Sequence, residues 1–223
     1  MGNDVLNFDE VAVEEPTLPS QIGIIADSHG RWDKIVAALN FLIDRGCRHI
    51  IHLGDICDSA HPQTAEACVR PLQKFTVDAI KGNNDHQIVV NNGGSHHSVI
   101  PADVLDFLQK LPLVRKYQHA VFTHSLPFAR ELGLSSMVGT MGNSHVRQFF
   151  RRYPQGLLFR GHSHSPQVYF KKNGQVFSQK LFPGRKIDLT DCLPCVVTCG
   201  ALTRGFCLMW MPDLHAIECQ RFE

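Results

Sequence analysis

Five short stretches of the chain carry Asp, Asn and His side chains, and each of them directly follows an apolar run. They are Asp27-Ser28-His29, Gly54-Asp55, Gly82-Asn83-Asn84-Asp85, Thr123-His124-Ser125 and Gly161-His162-Ser163-His164. Carboxylate, neutral imidazole and amide groups are suitable ligands for Mn²⁺, Fe, Zn²⁺ and similar ions. The stretches therefore predict metal ligands that come from five distant positions of the sequence.

The apolar runs before these stretches predict the strands that must position them. These runs are residues 22–26, 49–53, 75–81, 120–123 and 156–160. In an open α/β sheet the carboxyl ends of the strands meet in one crevice, so we expect the five stretches to share a single site. The glycines among them allow the backbone to turn tightly beside that site.

The ligand types favour two metal ions and an anionic substrate. A carboxylate such as Asp55 can bridge two ions. The other ligands then divide into two sets, with Asp27, His29 and His164 on one side and Asn83, His124 and His162 on the other. Only two of these seven groups are anionic. With two divalent ions bound the site therefore keeps a net positive charge, which favours a phosphate. Two ions roughly 3.5–4 Å apart can hold a nucleophile and clamp phosphate oxygens.

The remaining pattern alternates strands with helices and then continues as strands. Helical spacing covers residues 32–45 and 64–73, and further helices are predicted after Pro101 and after a cap at Asn143. Residues 91–100 read as a loop. From residue 166 onward the sequence is β-rich, with a hairpin turn at Asn173-Gly174. The order predicts an α/β fold (α+β, four-layered) in which a β-sandwich is flanked by helices.

Length and composition limit the other possibilities. The 223 residues are 43% hydrophobic, which suits one domain over residues 21–223, and the acidic, Pro-containing residues 1–20 are interpreted as a flexible arm. A net charge of +1 gives no clear signal for nucleic acid, and no apolar run is long enough to span a membrane. Without an export signal we expect a cytoplasmic protein whose eight cysteines are thiols.

Together the five stretches resemble the calcineurin-like metallophosphoesterase family, whose pattern is Asp-x-His, Gly-Asp, Gly-Asn-His-Asp/Glu, a His and Gly-His-x-His. The likeness extends over residues 22–166. It implies a β-sandwich with a dinuclear centre on one rim, the same ligand division, and a metal-bridging hydroxide that attacks phosphorus in line. The cofactors implied are two divalent ions, with Mn²⁺ expected first and Fe, Zn, Ni or Mg as alternatives.

The chain departs from this pattern at Asn84, where many members have a His that protonates the leaving oxygen. Asn cannot deliver a proton at neutral pH. His86 and the pair His96-His97 are candidate replacements, Asp85 is expected to orient its turn, and Arg31 and Asn84 are candidate substrate contacts. The small bacterial and archaeal phosphodiesterases of the family often lack this His, and the size of the chain is similar to theirs. We therefore expect a phosphodiester substrate.

Two alternatives stay open. One is a phosphomonoesterase or nucleotide pyrophosphatase that acts on small molecules, and the other is a non-enzymatic scaffold, as one retromer subunit of the family is. The expected partner is a small phosphate ester, with neither nucleic acid nor membrane indicated, and the sequence does not indicate the oligomeric state. Of the other polar residues, His52 is interpreted as a core histidine, His61 as a surface residue, and Arg160 as pointing out of a strand.

Overall fold

A computed structural model describes residues 21–93, 98–117, 119–127 and 137–223. The predicted arm, residues 1–20, and the candidate pair His96-His97 lie outside the described residues. None of the described helices combines the length and the apolar character that crossing a membrane requires.

Within the described residues the chain forms twelve strands and five α-helices. The strands are β1 (Ile22–Ile25), β2 (His49–His52), β3 (Asp78–Ala79), β4 (Val114–Tyr117), β5 (Ala120–Thr123), β6 (Leu157–Arg160), β7 (Gln167–Lys172), β8 (Gln175–Lys180), β9 (Lys186–Asp188), β10 (Cys195–Thr198), β11 (Phe206–Met211) and β12 (Ala216–Arg221). The helices are α1 (Trp32–Asp44), α2 (Ala65–Lys74), α3 (Asn83–Asn92), α4 (Ala102–Lys110) and α5 (Asn143–Arg152).

The strands form two six-stranded mixed sheets. The first sheet has the order β3-β2-β1-β11-β12-β9 and the second has the order β4-β5-β6-β10-β7-β8. β1, β2 and β3 run parallel to one another, as do β5 and β6. Parallel neighbours end at the same edge of a sheet, and this places the polar stretches that follow them side by side.

The sheets pack face to face, and helices cover their outer faces. Alternation along β1 sends Ile22 and Ile24 into the cluster between the sheets and Ile25 into the cluster beneath α1, α2 and α4. A third cluster joins α5 to the outer face of the second sheet. Helix α1 lies so close to β1 that a Cβ at Gly23 would be 2.8 Å from Leu42 Cδ1. The predicted sandwich with flanking helices is confirmed.

Several predicted elements differ from the observed ones. Residues 75–81 contain only the two-residue strand β3, and the following polar stretch starts helix α3 instead of a turn and a loop. Gly82 is the N-cap of α3, and its N–H donates to the Asp85 carboxylate at 2.9 Å. Gly142, and not Asn143, caps α5. Strand β9 was not predicted because its three residues carry no pattern of their own and depend on pairing with β12.

Trp210 provides a test of the packing between the two sheets. Its side chain is 1% exposed, and its ring centroid lies 5.9 Å from that of Phe122 and 5.1 Å from that of Phe159 in the opposite sheet. We expect Trp210→Ala to lower the free energy of unfolding by about 3–5 kcal/mol because it leaves a cavity between the sheets. Urea unfolding measures the loss. The matched control Trp32→Ala removes a half-exposed indole, and equal losses in both variants would contradict the assignment.

Candidate metal centre

The ends of β1, β2, β5 and β6 bring the predicted ligands together at one rim of the sandwich. Two groups of three side chains form there, and within each group the ligand atoms lie within 4.8 Å of one another. The first group is Asp27, His29 and His164, and the second is Asp55, His124 and His162. Asn83 joins the second group, since its Oδ1 lies 3.2 Å from His124 Nε2. All seven sequence-predicted ligands therefore meet at one place.

The Asp55 carboxylate lies between the two groups. Its Oδ2 is 3.8 Å from His29 Nε2 and 3.5 Å from His124 Nε2. The neighbouring carboxylate, Asp27, belongs to the first group, and its Oδ1 is 3.6 Å from His164 Nε2. This arrangement suits a carboxylate that is shared by two cations.

The hydrogen bonds of His124 orient its ring for metal binding. Its Nδ1 lies 2.8 Å from the Leu53 carbonyl oxygen, which can only accept, so this nitrogen carries the proton. Nε2 then faces Asn83, Asp55 and His162, and it can bind a metal ion that displaces its own proton. A metal-binding imidazole commonly donates its other N–H to a backbone carbonyl in this way. The donor set and its orientation therefore fit a divalent ion.

Five of the ligands have left-handed backbone conformations. Their φ angles are 55° for Asp27, 44° for His29, 53° for Asp55, 65° for His162 and 57° for His164. This region is unfavourable for residues with a Cβ and is found mostly where surrounding contacts enforce it. Backbone bonds between the turns supply such contacts, including Asp27 N–H to the Gly54 carbonyl at 3.1 Å and His29 N–H to the Asp55 carbonyl at 3.0 Å.

Burial and charge shift the ionisation of the ligands. Burial raises the pKa of Asp27 to about 7. Burial also acts to lower the pKa of His124, but the Asp55 and Asp27 carboxylates outweigh it and raise this pKa to about 9. Burial and the charge of His124 lower the pKa of His162 to about 4, so its ring keeps a lone pair at neutral pH. A cation held between the same carboxylates would replace the His124 proton.

Comparison with known proteins identifies the family. Residues 21–185 match the calcineurin-like phosphoesterase superfamily domain. The chain belongs to this superfamily. A curated relative, an uncharacterized protein of Methanocaldococcus jannaschii, is 27% identical over 166 residues, which are 67% of this chain and 64% of the relative. The aligned region thus spans less than two thirds of that relative's length.

Solved structures share the fold of this superfamily member. A metallophosphoesterase from Sphaerobacter thermophilus superposes with a TM-score of 0.71 at 21% identity, covering 92% of this chain and 89% of the other. A putative diadenosine tetraphosphatase gives 0.56 at 14% identity, over 92% and 95% of the two chains. A hypothetical protein from Pyrococcus horikoshii gives 0.63 at 14% identity, over 90% and 87%.

The calcineurin-like centre has a buried floor and an open side. The side chains of Asp27, Asp55 and His124 are almost completely buried, whereas those of His29 and His164 are 24% and 30% exposed. A substrate therefore has access from the side of His29 and His164. Arg204 is an exposed residue that sequence reasoning missed. Burial lowers the pKa of His164, and the charges of His29 and Arg204 lower it further.

Asn84 holds the Asp55 carboxylate through two hydrogen bonds. Its backbone N–H donates to Asp55 Oδ1 at 2.8 Å and its side-chain Nδ2 donates to Asp55 Oδ2 at 2.9 Å. Its Oδ1 accepts from the Ser59 hydroxyl at 2.8 Å and from the Ser59 N–H at 3.2 Å. Both polar ends of the Asn84 side chain are thus engaged within the protein.

The other predicted site residues lie around α1 and α3. Asp85 is fully buried and accepts from the backbone N–H groups of Cys57 and Gly82, so it orients the turn. His86 is partly buried in the first turn of α3. The Arg31 guanidinium donates to Asp33 at 2.6 and 2.9 Å, so its charge is already paired.

Arg160 is buried behind the centre at 1% exposure and does not point out of its strand into solvent. Its guanidinium donates to the Ser125 carbonyl at 3.2 Å, the Ser163 hydroxyl at 2.8 Å and the Thr198 hydroxyl at 3.2 Å. Ser125 follows one ligand, and Ser163 lies between two others. One side chain therefore links the turns after β5 and β6. This linking role of Arg160 depends on the contact between the ends of β5, β6 and β10, which the sequence alone does not show.

His52 is a buried residue that links the first two ligand turns. Its Nδ1 accepts from the Gly54 N–H at 3.2 Å, so Nε2 carries the proton and donates to Ser28 Oγ at 3.0 Å. Ser28 in turn donates to the Ile56 carbonyl at 3.0 Å. Burial lowers the pKa of His52 to about 3, which keeps the ring neutral. His52 is thus a hydrogen-bonded core histidine and belongs to neither ligand group.

The His52 network can be tested by removing its acceptor. We expect His52→Leu to lower the free energy of unfolding by about 1–3 kcal/mol because the buried Gly54 N–H loses its partner. His52→Asn is the matched control, since its Oδ1 can replace Nδ1 and recover part of the loss. Urea unfolding compares the two variants, and equal destabilisation by both would contradict the network.

Proposed function

We propose that the protein is a metal-dependent phosphodiesterase with a dinuclear centre. The observation that carries this proposal is the position of Asp55 Oδ2, which lies 3.8 Å and 3.5 Å from imidazole nitrogens of two separate ligand groups. A carboxylate shared in this way is what a two-metal hydrolase requires. Membership of a phosphoesterase superfamily supports the same chemistry.

Two bound divalent ions would supply the activation of water and the neutralisation of charge on phosphorus. The side chains of this protein do the remaining work. Asp27, His29 and His164 would hold one ion, and Asn83, His124 and His162 would hold the other, with Asp55 between them. Hard oxygen donors mixed with imidazole suit Mn²⁺, which is therefore the first ion to test.

The charge around the centre favours a phosphodiester over a phosphomonoester. A monoester dianion is commonly held by a bidentate arginine. Of the arginines near the centre, Arg31 is paired with Asp33 and Arg160 donates to the Ser163 and Thr198 hydroxyls, which leaves the exposed Arg204 near His164. A diester carries one charge fewer and needs less cationic support beyond the metals.

A phosphoanhydride is the second candidate substrate. One solved structure of the same fold is described as a putative diadenosine tetraphosphatase. Cleavage of an anhydride expels a phosphate, which leaves without protonation, so the lack of a proton donor at Asn84 is compatible with this reaction. Comparison of dinucleoside polyphosphates with diesters and monoesters separates the candidates.

We also propose a cytoplasmic location, in keeping with eight unpaired cysteines.

The proposed function predicts metal-dependent hydrolysis. We expect the protein with Mn²⁺ to hydrolyse bis(para-nitrophenyl) phosphate, to lose this activity after chelation, and to regain it when Mn²⁺ is restored. Release of para-nitrophenolate is followed by absorbance. Equal rates with and without metal would refute the proposal.

Asp55→Asn tests the shared carboxylate. Loss of this charge should weaken the binding of both ions. We expect metal affinity to fall by more than about 100-fold, since even outer-shell partners of metal ligands contribute roughly 10–100-fold. Isothermal titration with Mn²⁺ measures affinity and the number of ions per chain. Asp106→Asn is the matched control, because Asp106 is an exposed carboxylate on α4 that pairs with Lys110. Two ions bound with unchanged affinity in Asp55→Asn would show that Asp55 does not bridge them.

A further inference from the structure

Hydrolysis of a phosphodiester with an alcohol leaving group requires a proton for the departing oxygen. Asn84 cannot supply it, because an amide is not an acid at neutral pH. Its side chain is in any case occupied by Asp55 on one side and Ser59 on the other. The proton donor must therefore be another group at the open side of the centre.

Residues 58–64 form the segment that lies against this open side. Ser59 contacts Asn84 through both its N–H and its hydroxyl. On the other flank, a Cβ at Gly30 would lie 2.8 Å from Thr64 Oγ1 and 3.1 Å from Asp58 Cβ, so the segment packs directly on the residue that follows His29. Residues 58–64 thus lie between the neighbour of one ligand and the residue that holds the shared carboxylate.

This segment carries a carboxylate–imidazole pair. His61 Nδ1 lies 2.8 Å from Asp58 Oδ2, and the backbone of the pair is closed by the His61 N–H, which donates to the Asp58 carbonyl at 3.0 Å. Burial acts to raise the pKa of Asp58, but hydrogen bonds from His61 and the Ala60 N–H outweigh it, so the carboxylate stays ionised. The His61 side chain is 63% exposed, so its Nε2 has access to solvent.

The other titratable groups next to Asn84 are less suited to donate. Asp85 is fully buried, and both its oxygens accept backbone hydrogen bonds. His86 lies on α3, and its ring has no orienting carboxylate within the described residues. A general acid needs both access to the substrate and a fixed orientation. Within the described residues around Asn84, His61 combines exposure to solvent with an orienting carboxylate.

We propose that His61, oriented by Asp58, is the general acid that protonates the leaving oxygen. The inference rests on the proposed function and extends it to phosphodiesters whose leaving group is a poor one, such as an alcohol. It also assigns a role to a histidine that the sequence places on the surface.

The proposed step balances as follows. Water contributes the oxygen of the new bond to phosphorus and releases its proton to solvent. The ester bond breaks with its electron pair passing to the leaving oxygen, which takes the Nε2 proton of the His61 imidazolium. The ring keeps its Nδ1 proton, which is hydrogen-bonded to Asp58, and regains the Nε2 proton from solvent. The net reaction is therefore ester plus water giving acid plus alcohol.

The test compares leaving groups at a constant phosphoryl group. Wild-type protein, His61→Ala, His61→Gln and the alternative donor variant His86→Ala are assayed with Mn²⁺ on para-nitrophenyl methyl phosphate and on phenyl methyl phosphate. We expect both His61 variants to lose roughly 10²–10⁴-fold on the phenyl ester, the usual contribution of a general acid. The para-nitrophenyl ester should change far less, because para-nitrophenolate leaves without a proton. Added imidazole should restore part of the lost rate in His61→Ala.

His119→Ala is the matched control, since His119 is an exposed histidine in the β4–β5 turn, at the end of β5 opposite His124. Manganese titration of each variant checks that the centre is intact. Equal losses of the His61 variants on both esters, or the leaving-group effect appearing in His86→Ala instead, would overturn the assignment. No hydrolysis of either ester by the wild-type protein would overturn the proposed function and the proton donor with it.

Discussion

The buried carboxylate of Asp55 is the constraint on which the rest of the site depends. A carboxylate removed from water is costly unless charge and hydrogen bonds compensate it. Asn84 provides two hydrogen bonds, and His29 Nε2 and His124 Nε2 lie 3.8 Å and 3.5 Å from the same oxygen. Each of these partners comes from a different turn, so the position of one carboxylate ties three turns together. A bound cation would complete the compensation.

The centre also depends on the contact between the two sheets. Asp27 and Asp55 follow strands of the first sheet, whereas His124, His162 and His164 follow strands of the second. The His162 N–H donates to Asp27 at 3.0 Å and the His124 ring donates to the Leu53 carbonyl at 2.8 Å, so both bonds cross from one sheet to the other. The aromatic packing of Trp210 against Phe122 and Phe159 helps to hold the two sheets together.

Around this core the site divides into a rigid floor and a rim that faces solvent. Arg160 and His52 use their polar atoms to hold ligand turns from below, and neither reaches the open side. At the rim the Asp58–His61 pair belongs to residues 58–64, and this segment packs against Gly30 and Asn84. The proposed metal ligands and the proposed proton donor thus lie on different elements, so changes at the rim need not disturb the floor.

The amino-acid sequence by itself determined which residues could bind metal and the layered fold that gathers them. Metal chemistry accepts few side-chain types, and their placement after apolar runs marks strand ends, so seven candidate ligands could be named without coordinates. Helix α3 was not predicted because Asn83 and Asn84 favour turns. Its first turn is stabilised by the capping of Gly82 and Asp85 and by the hydrogen bond from the Asn84 N–H to the Asp55 carboxylate.

Tertiary structure alone decided what the polar side chains touch. Arg160 donates to Ser125 and Thr198, Asn84 donates to Asp55, and the His124 ring donates to the Leu53 carbonyl. Five candidate ligands adopt left-handed backbone angles, which the Asp and His residue types at these positions do not predict. The physical reason is the same in each case. A hydrogen bond or a strained angle depends on groups brought close by folding from distant parts of the chain, whereas the residue types and their order along each strand are local properties of the sequence.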